Sequence, residues 1–95
     1  MPYYAMICID HKDSVELRAK SRDGHLAYFR AAESTIRLAG PLLDEHGQPE
    51  GSLVILECEN QAAAEAFAAG DPYAKAGLFS SVSVKPWRLA IGAVG

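Results

Sequence analysis

Tyr3 to Ile9, YYAMICI, is apolar at nearly every position. A strand with one wet face alternates apolar and polar side chains, so a run without alternation must be covered on both faces. Ser52 to Glu59 repeats the pattern: Val54, Leu56 and Cys58 point one way, and Leu53, Ile55 and Glu57 the other. The chain has 95 residues, enough for one domain without a second. Both runs therefore belong in the middle of one small sheet, and each face of that sheet needs a cover.

The segments between them carry helix and turn signals. Asp13-Ser14-Val15-Glu16 has the spacing of a capping box, so a helix is expected to start there. Its pattern falters at Ser21-Arg22-Asp23-Gly24 and resumes with Leu26, Phe29 and Ala32, which predicts one long helix to about Ser34 with room for a kink. Thr35 to Leu43 reads as a strand interrupted by Gly40-Pro41, and proline without an N–H places it at an edge or a bulge. Asp44 to Gly51 is a hairpin loop. Asn60 caps an alanine-rich helix that Gly70 stops, and Asp71 caps a short turn with Pro72 at its first position. Phe79 to Trp87 is the fourth strand, followed by an apolar tail from Leu89 to Gly95.

The order β-α-β-β-α-β with right-handed crossovers gives an α+β, ferredoxin-like fold. Its antiparallel sheet has the order 4-1-3-2, with both helices on one face. The other face is left apolar and bare, which calls for a partner. The simplest partner is a second copy, sheet against sheet, so a homodimer with a barrel-like core is expected, the 89–95 tail extending the contact.

Composition removes several function classes. A net charge of −3 and a pI near 5.5, with the basic residues scattered, give no footprint for nucleic acid. No apolar stretch approaches the ~20 residues of a membrane span. The first residues enter a strand pattern directly, without a charged-then-apolar leader, so the expected location is the cytoplasm. Cys8 and Cys58 lie inside strand-like runs at no zinc spacing and read as reduced, buried thiols. His11, His25 and His46 fall in separate elements, which makes a metal site unexpected. No glycine-rich phosphate loop is present, and no cofactor is implied.

The candidate chemistry lies where Asp71-Pro72-Tyr73 closes into Ala76-Gly77-Leu78, at an element boundary. His25 is the one histidine inside a periodic apolar segment, and the fold can bring it beside Asp71. An imidazole paired with a carboxylate is suited to general acid–base work. Each candidate also has a plainer role. His25 can simply bond a backbone carbonyl, and Asp71 can simply cap a turn. Arg22 is a candidate anion anchor or a solvated charge at a helix start. Tyr28, which shares the helix face of His25, either reaches the cleft or packs in the core. Ser52 either donates into the cleft or satisfies local backbone. Tyr73 is a candidate cleft wall or a core side chain.

These residues stand in a wider pattern. It comprises Arg22-x-x-His25-Leu26-x-Tyr28, then Leu38-Ala39-Gly40-Pro41-Leu42-Leu43 and Gly51-Ser52-Leu53-Val54-Ile55. Asp71-Pro72-Tyr73-Ala74-Lys75-Ala76-Gly77-Leu78-Phe79 and the closing Val84-Lys85-Pro86-Trp87 complete it. Together they resemble the YciI-like (YCII-related) family, a branch of the dimeric α/β-barrel proteins, over nearly the whole chain. The resemblance implies a single domain over 1–95, a homodimer, and a cleft holding His25 and Asp71 as an acid–base pair. It defines the activity only loosely: one branch of the family resembles enzymes that eliminate chloride from chlorinated hydroxyaromatics. Asp23 departs from the pattern, since relatives often carry proline there.

The expectation is a cofactor-independent enzyme acting on a small hydroxylated or anionic molecule by elimination or isomerisation. His25 would move the proton, Asp71 would orient it, and Arg22, Tyr28, Ser52 and Tyr73 would hold the ligand. The alternative is a dimeric module that binds a small molecule without turnover.

Overall fold

The computed structural model describes residues 1–94. In chain order it has β1 (Tyr3–Asp10), α1 (Val15–Ala31), β2 (Ile36–Leu43) and β3 (Pro49–Glu57). These are followed by α2 (Gln61–Gly70), α3 (Pro72–Lys75) and β4 (Phe79–Trp87). The strands form one antiparallel sheet in the order β2-β3-β1-β4, so the two doubly apolar strands lie at its centre as expected. The α+β, ferredoxin-like architecture inferred from the element order is the one observed.

Register sorts the two faces. Tyr4, Met6 and Cys8 of β1 stand opposite Leu56, Val54 and Ser52 of β3. Met6, Cys8, Val54 and Leu56 are buried with Ala64 and Ala68 of α2, while Phe29 of α1 and Phe67 of α2 pack against them. That face is the core. At roughly 25 cal/mol per Å² of apolar surface removed from water, each large side chain here contributes about 1.5–3 kcal/mol. The opposite face carries Ile7, Ile9, Leu53 and Leu38, which remain 37%, 40%, 39% and 45% exposed.

Four local expectations change. First, α1 is unbroken from Val15 to Ala31. Gly24 sits in its interior, and the packing of His25 and Phe29 outweighs the ~1 kcal/mol a helical glycine costs. Second, the capping box does not form. Asp13 adopts a left-handed φ of 57°, and the N-cap is Ser14, whose side chain makes no capping bond. Third, β2 runs straight through Gly40-Pro41. As an edge strand it tolerates a residue without an N–H, and its register shifts fall instead at Ile36/Leu38 and Leu42/Leu43. Fourth, the hairpin loop is tighter than 44–51, since β3 already begins at Pro49. Asp44 Oδ1 accepts the N–H groups of His46 and Gln48 there. The 89–95 tail follows β4 without regular structure over its described part, and Gly95 lies outside the described residues.

Candidate active site

The site is built where α1 crosses the start of α3 and the beginning of β3. On α1, Arg18, Arg22, His25 and Phe29 follow one another at steps of four, three and four, so they form one stripe. At the other side Asp71 ends α2 and caps α3. Its backbone is extended (φ −61°, ψ 127°), and its Oδ1 accepts the Tyr73 N–H at 2.9 Å. Pro72 at the first position of α3 suits this, because it brings no N–H that would need a partner.

His25 Nδ1 lies 2.9 Å from the same Oδ1. Both side chains are withdrawn from water, Asp71 almost completely: 1% of its side chain is exposed, against 11% for His25. A carboxylate only accepts, so Nδ1 carries the hydrogen, and the lone pair of a neutral ring falls on Nε2. The imidazole is clamped between aromatic neighbours. Tyr73 stacks on it at 3.9 Å with 12° between the planes, and Phe29 stands at 4.1 Å. Among the described residues no donor reaches Asp71 Oδ2, which is also buried.

A second buried pair lies beside the first. Arg18 Nη1 donates to both oxygens of Asp10, at 3.0 and 2.8 Å. Its Nη2 donates to the Gly51 carbonyl at 3.0 Å and to Ser52 Oγ at 3.1 Å. The guanidinium also stands 4.8 Å from the centre of the Tyr73 ring. Gly51 is needed at this corner, because a Cβ there would collide with the Cys8 carbonyl oxygen on the neighbouring strand. Burial holds the Tyr73 phenol above its ordinary pKa and so keeps it protonated, with Arg18 and Arg22 pulling the other way. Burial, reinforced by the carboxylates of Asp71 and Asp10, pushes the Cys8 thiol up to about 12.

These groups face a cavity of about 520 Å³. Arg18, Arg22, His25, Ser52 and Tyr73 supply its polar edge; Leu26, Phe29, Val54, Ala39 and Pro41 supply apolar wall. The structure thus brings together five of the six residues singled out from sequence: His25, Asp71, Arg22, Ser52 and Tyr73. Asp71 stands behind His25 rather than in the cavity wall. Tyr28 goes elsewhere. Its hydroxyl donates to the Phe67 carbonyl at 2.8 Å and its ring stacks on Phe67 at 4.9 Å, away from this cavity. Arg18 and Asp10 were not anticipated. Arg18 was legible in principle, since it continues the Arg22/His25 stripe by one turn. Asp10 ends a strand and carries no pattern that marks it. Among the described residues no three His, Cys, Asp or Glu side chains gather as a metal ion would require.

The chain is similar to known proteins over nearly its whole length. The YCII-related domain matches residues 2–88. An uncharacterised protein of Haemophilus influenzae is 37% identical over 94 residues, covering 90% of this chain and 96% of that one. The protein YciI of Escherichia coli O6:H1 is 39% identical over 93 residues, covering 90% of this chain and 95% of its own. Among solved structures, 5-chloro-2-hydroxyhydroquinone dehydrochlorinase of Burkholderia phenoliruptrix superposes with a TM-score of 0.85 at 28% identity. It covers 93% of this chain and 95% of its own, and is in complex with 2,5-dihydroxybenzoquinone. An antibiotic biosynthesis monooxygenase, 11% identical with a TM-score of 0.57, shares the fold alone over 96% of this chain and 100% of its own. The family match spans nearly all of the chain, including both halves of the His25–Asp71 pair, and the chain belongs to the YCII-related domain family.

Proposed function

We propose that the cavity is the active site of a cofactor-independent enzyme in which His25 transfers a proton on a small hydroxylated or anionic organic molecule. The observation that carries this reading is the 2.9 Å bond from His25 Nδ1 to the buried Asp71 carboxylate at the edge of an apolar-walled cavity. Asp71 fixes the ring and its tautomer, and its charge stabilises the imidazolium once Nε2 has taken a proton. Arg22, exposed at the mouth, offers planar donors to an anionic group. Elimination and isomerisation both begin with such a proton transfer. The dehydrochlorinase of similar fold favours elimination from a hydroxylated ring.

The test is a panel of hydroxylated aromatics, with and without a chloride leaving group, followed by absorbance and by chloride release. His25→Ala should abolish turnover while circular dichroism remains native. Unchanged turnover would end the proposal. Ligand binding without turnover, equal in wild type and variant, would make the protein a binding module instead.

The working unit we propose is a homodimer joined through the sheet face away from the helices, in the cytoplasm. A single sheet leaves Ile7, Ile9, Leu53 and Leu38 more than a third exposed, and a second copy would bury them together. The 89–95 tail lies beyond the family match and would extend the contact. Light scattering behind size exclusion should give twice the chain mass, and a monomer at micromolar concentration would refute this. Among the described residues no helix is long and apolar enough to cross a membrane, and Cys8 and Cys58 are free thiols.

A further inference from the structure

We propose that Ser52 is the hydrogen-bond donor to the ligand oxygen that becomes negative when His25 takes a proton, and that Arg18 is the positioning residue that makes it a donor. This rests on the reading of His25 as the base and adds the group that answers it.

A serine hydroxyl is ordinarily ambivalent: it donates one hydrogen and accepts through two lone pairs. Arginine is not ambivalent, because all its polar hydrogens donate. Arg18 Nη2 lies 3.1 Å from Ser52 Oγ, so Ser52 must accept from it. The hydroxyl hydrogen is then left to donate, and no acceptor for it is found among the described residues. Ser52 is 5% exposed and lines the cavity that His25 also lines. A buried donor without a partner is costly, and a ligand oxygen in the cavity would relieve it.

Arg18 is held for this role from behind. Its other terminal nitrogen donates to both oxygens of Asp10, and its Nη2 also bonds the Gly51 carbonyl next to Ser52. Asp10 neutralises the guanidinium, so Arg18 orients the hydroxyl without competing for an anion, a task left to the exposed Arg22. Ser52 also sits on the sheet, on β3, where backbone pairing to Pro41 and Cys8 fixes its position.

The step balances within the ligand and His25. A ligand C–H or O–H bond breaks, its hydrogen goes to Nε2, and its electron pair moves to a conjugated oxygen that accepts from Ser52. Reprotonation from Nε2 at another atom completes an isomerisation; in an elimination the electron pair returns from the oxygen, an anionic group leaves with the bonding pair, and Nε2 gives its proton up to solvent. The ligand class is a planar, enolisable or phenolic oxygen compound, sized for the apolar walls.

The test uses the pH midpoint of a bound probe. 2,5-Dihydroxybenzoquinone changes colour on ionisation, and it is titrated against wild type, Ser52→Ala, Ser52→Cys and the charge-balanced pair Asp10→Asn/Arg18→Gln. Loss of one hydrogen bond to an anionic oxygen is expected to weaken binding of the anion about tenfold, raising the midpoint of the bound probe by about one pH unit. Ser52→Ala and Ser52→Cys should both do this. The Asp10→Asn/Arg18→Gln pair should shift the midpoint in the same direction, because a glutamine lets the hydroxyl turn round. Adding Ser52→Ala to that pair should then change little. A loss of fold would lower stability without moving the midpoint, so the readout separates positioning from scaffolding. An unchanged midpoint in both serine variants overturns the role of Ser52. A shift there but none in the paired variant overturns the role of Arg18. Failure of wild type to bind the probe at millimolar concentration, at a pH where the free probe is protonated, overturns the ligand class. His25→Asn separates the underlying reading: if it leaves proton uptake on binding unaltered, His25 is not the base, whatever Ser52 does.

Discussion

Replacing Asp71 distinguishes what its shape does from what its charge does. Oδ1 accepts two hydrogen bonds, from the Tyr73 N–H and from His25 Nδ1, each at 2.9 Å. Asp71→Ala removes both. The lost cap costs about 1 kcal/mol, and the lost bond between a charged group and the imidazole about 1.5–3 kcal/mol. The sum is about 3 kcal/mol, a fall in Tm of roughly 12–24 °C for a domain of this size. Asp71→Asn keeps an oxygen at Oδ1 and puts its amide where Oδ2 now lies buried without a partner. It keeps both hydrogen bonds and exchanges one unpartnered atom for another, so its cost should stay below about 1 kcal/mol. Turnover should nonetheless fall by about 100-fold or more in the asparagine variant, since the imidazolium loses its counter-charge. Urea unfolding followed by circular dichroism, with equal slopes for all three proteins, gives the stabilities. The reasoning is refuted if asparagine destabilises as much as alanine, or if alanine costs less than about 1 kcal/mol.

Asp10→Ala should destabilise by about 3–5 kcal/mol, because it leaves the Arg18 guanidinium, with only 12% of its side chain exposed, without its counter-ion. Asp10→Leu combined with Arg18→Met should recover most of that, and additive losses in urea titrations would contradict it. The two glycines on either side of the site should respond in opposite senses. Gly51→Ala would drive a Cβ into the Cys8 carbonyl oxygen and lose about 1–3 kcal/mol, whereas Gly24→Ala meets Pro72 at an ordinary 3.5 Å and should gain about 0.5–1 kcal/mol in thermal unfolding. Cys8 should resist iodoacetamide. Its thiol is raised from 9.0 to about 12, so a free thiol is half ionised at pH 9.0 while Cys8 is ionised only to the order of 10⁻³. The raised value also means that stability is intact below pH 9.0 and declines as pH climbs toward about 12, where the folded thiol at last ionises. Rapid labelling of native protein at pH 9.0 would contradict the burial.

The sheet was legible because its signals are local. Strands apolar on both faces must be central, and Pro41 marks an edge, which together leave little freedom in strand order. The caps at Asn60 and Asp71 were legible for the same reason, each being one side chain bonding a backbone two or three residues on. The capping box at Asp13 was equally local but lost to geometry: a left-handed residue turns the chain from β1 into α1, and Ser14 becomes the cap. The single long helix was legible, and the kink allowed for at Ser21–Gly24 does not form because propensity is weak beside the packing of one helix face. Tyr28 illustrates the limit for the site. It lies three residues from His25 and shares the broad face, yet a helix turns about 100° per residue, so Tyr28 is carried toward α2 and bonds the Phe67 carbonyl. Asp10 could not be found from spacing, because what selects it is a guanidinium eight residues away that only the turn at Asp13 brings back.

The charges around the cavity set what can enter it. Arg18 is matched by Asp10 at 2.8 Å, and by formal count the charges of Arg22 and Asp71 cancel, so the group carries no surplus charge when His25 is neutral. A preformed anion would enter an environment with no surplus positive charge and would displace water from Arg22 alone. A neutral acid that yields its proton to His25 meets a different balance. Its oxygen becomes negative as the ring becomes positive, both inside an apolar-walled cavity where attraction between them is little screened. Entry of the neutral acid followed by transfer therefore avoids the desolvation that entry of an anion would incur. On this argument the favoured ligands are weak acids that remain protonated in solution and ionise only when bound. Affinity should consequently fall once the pH exceeds the free ligand's own pKa, and an affinity that rises there would show that the site selects the anion.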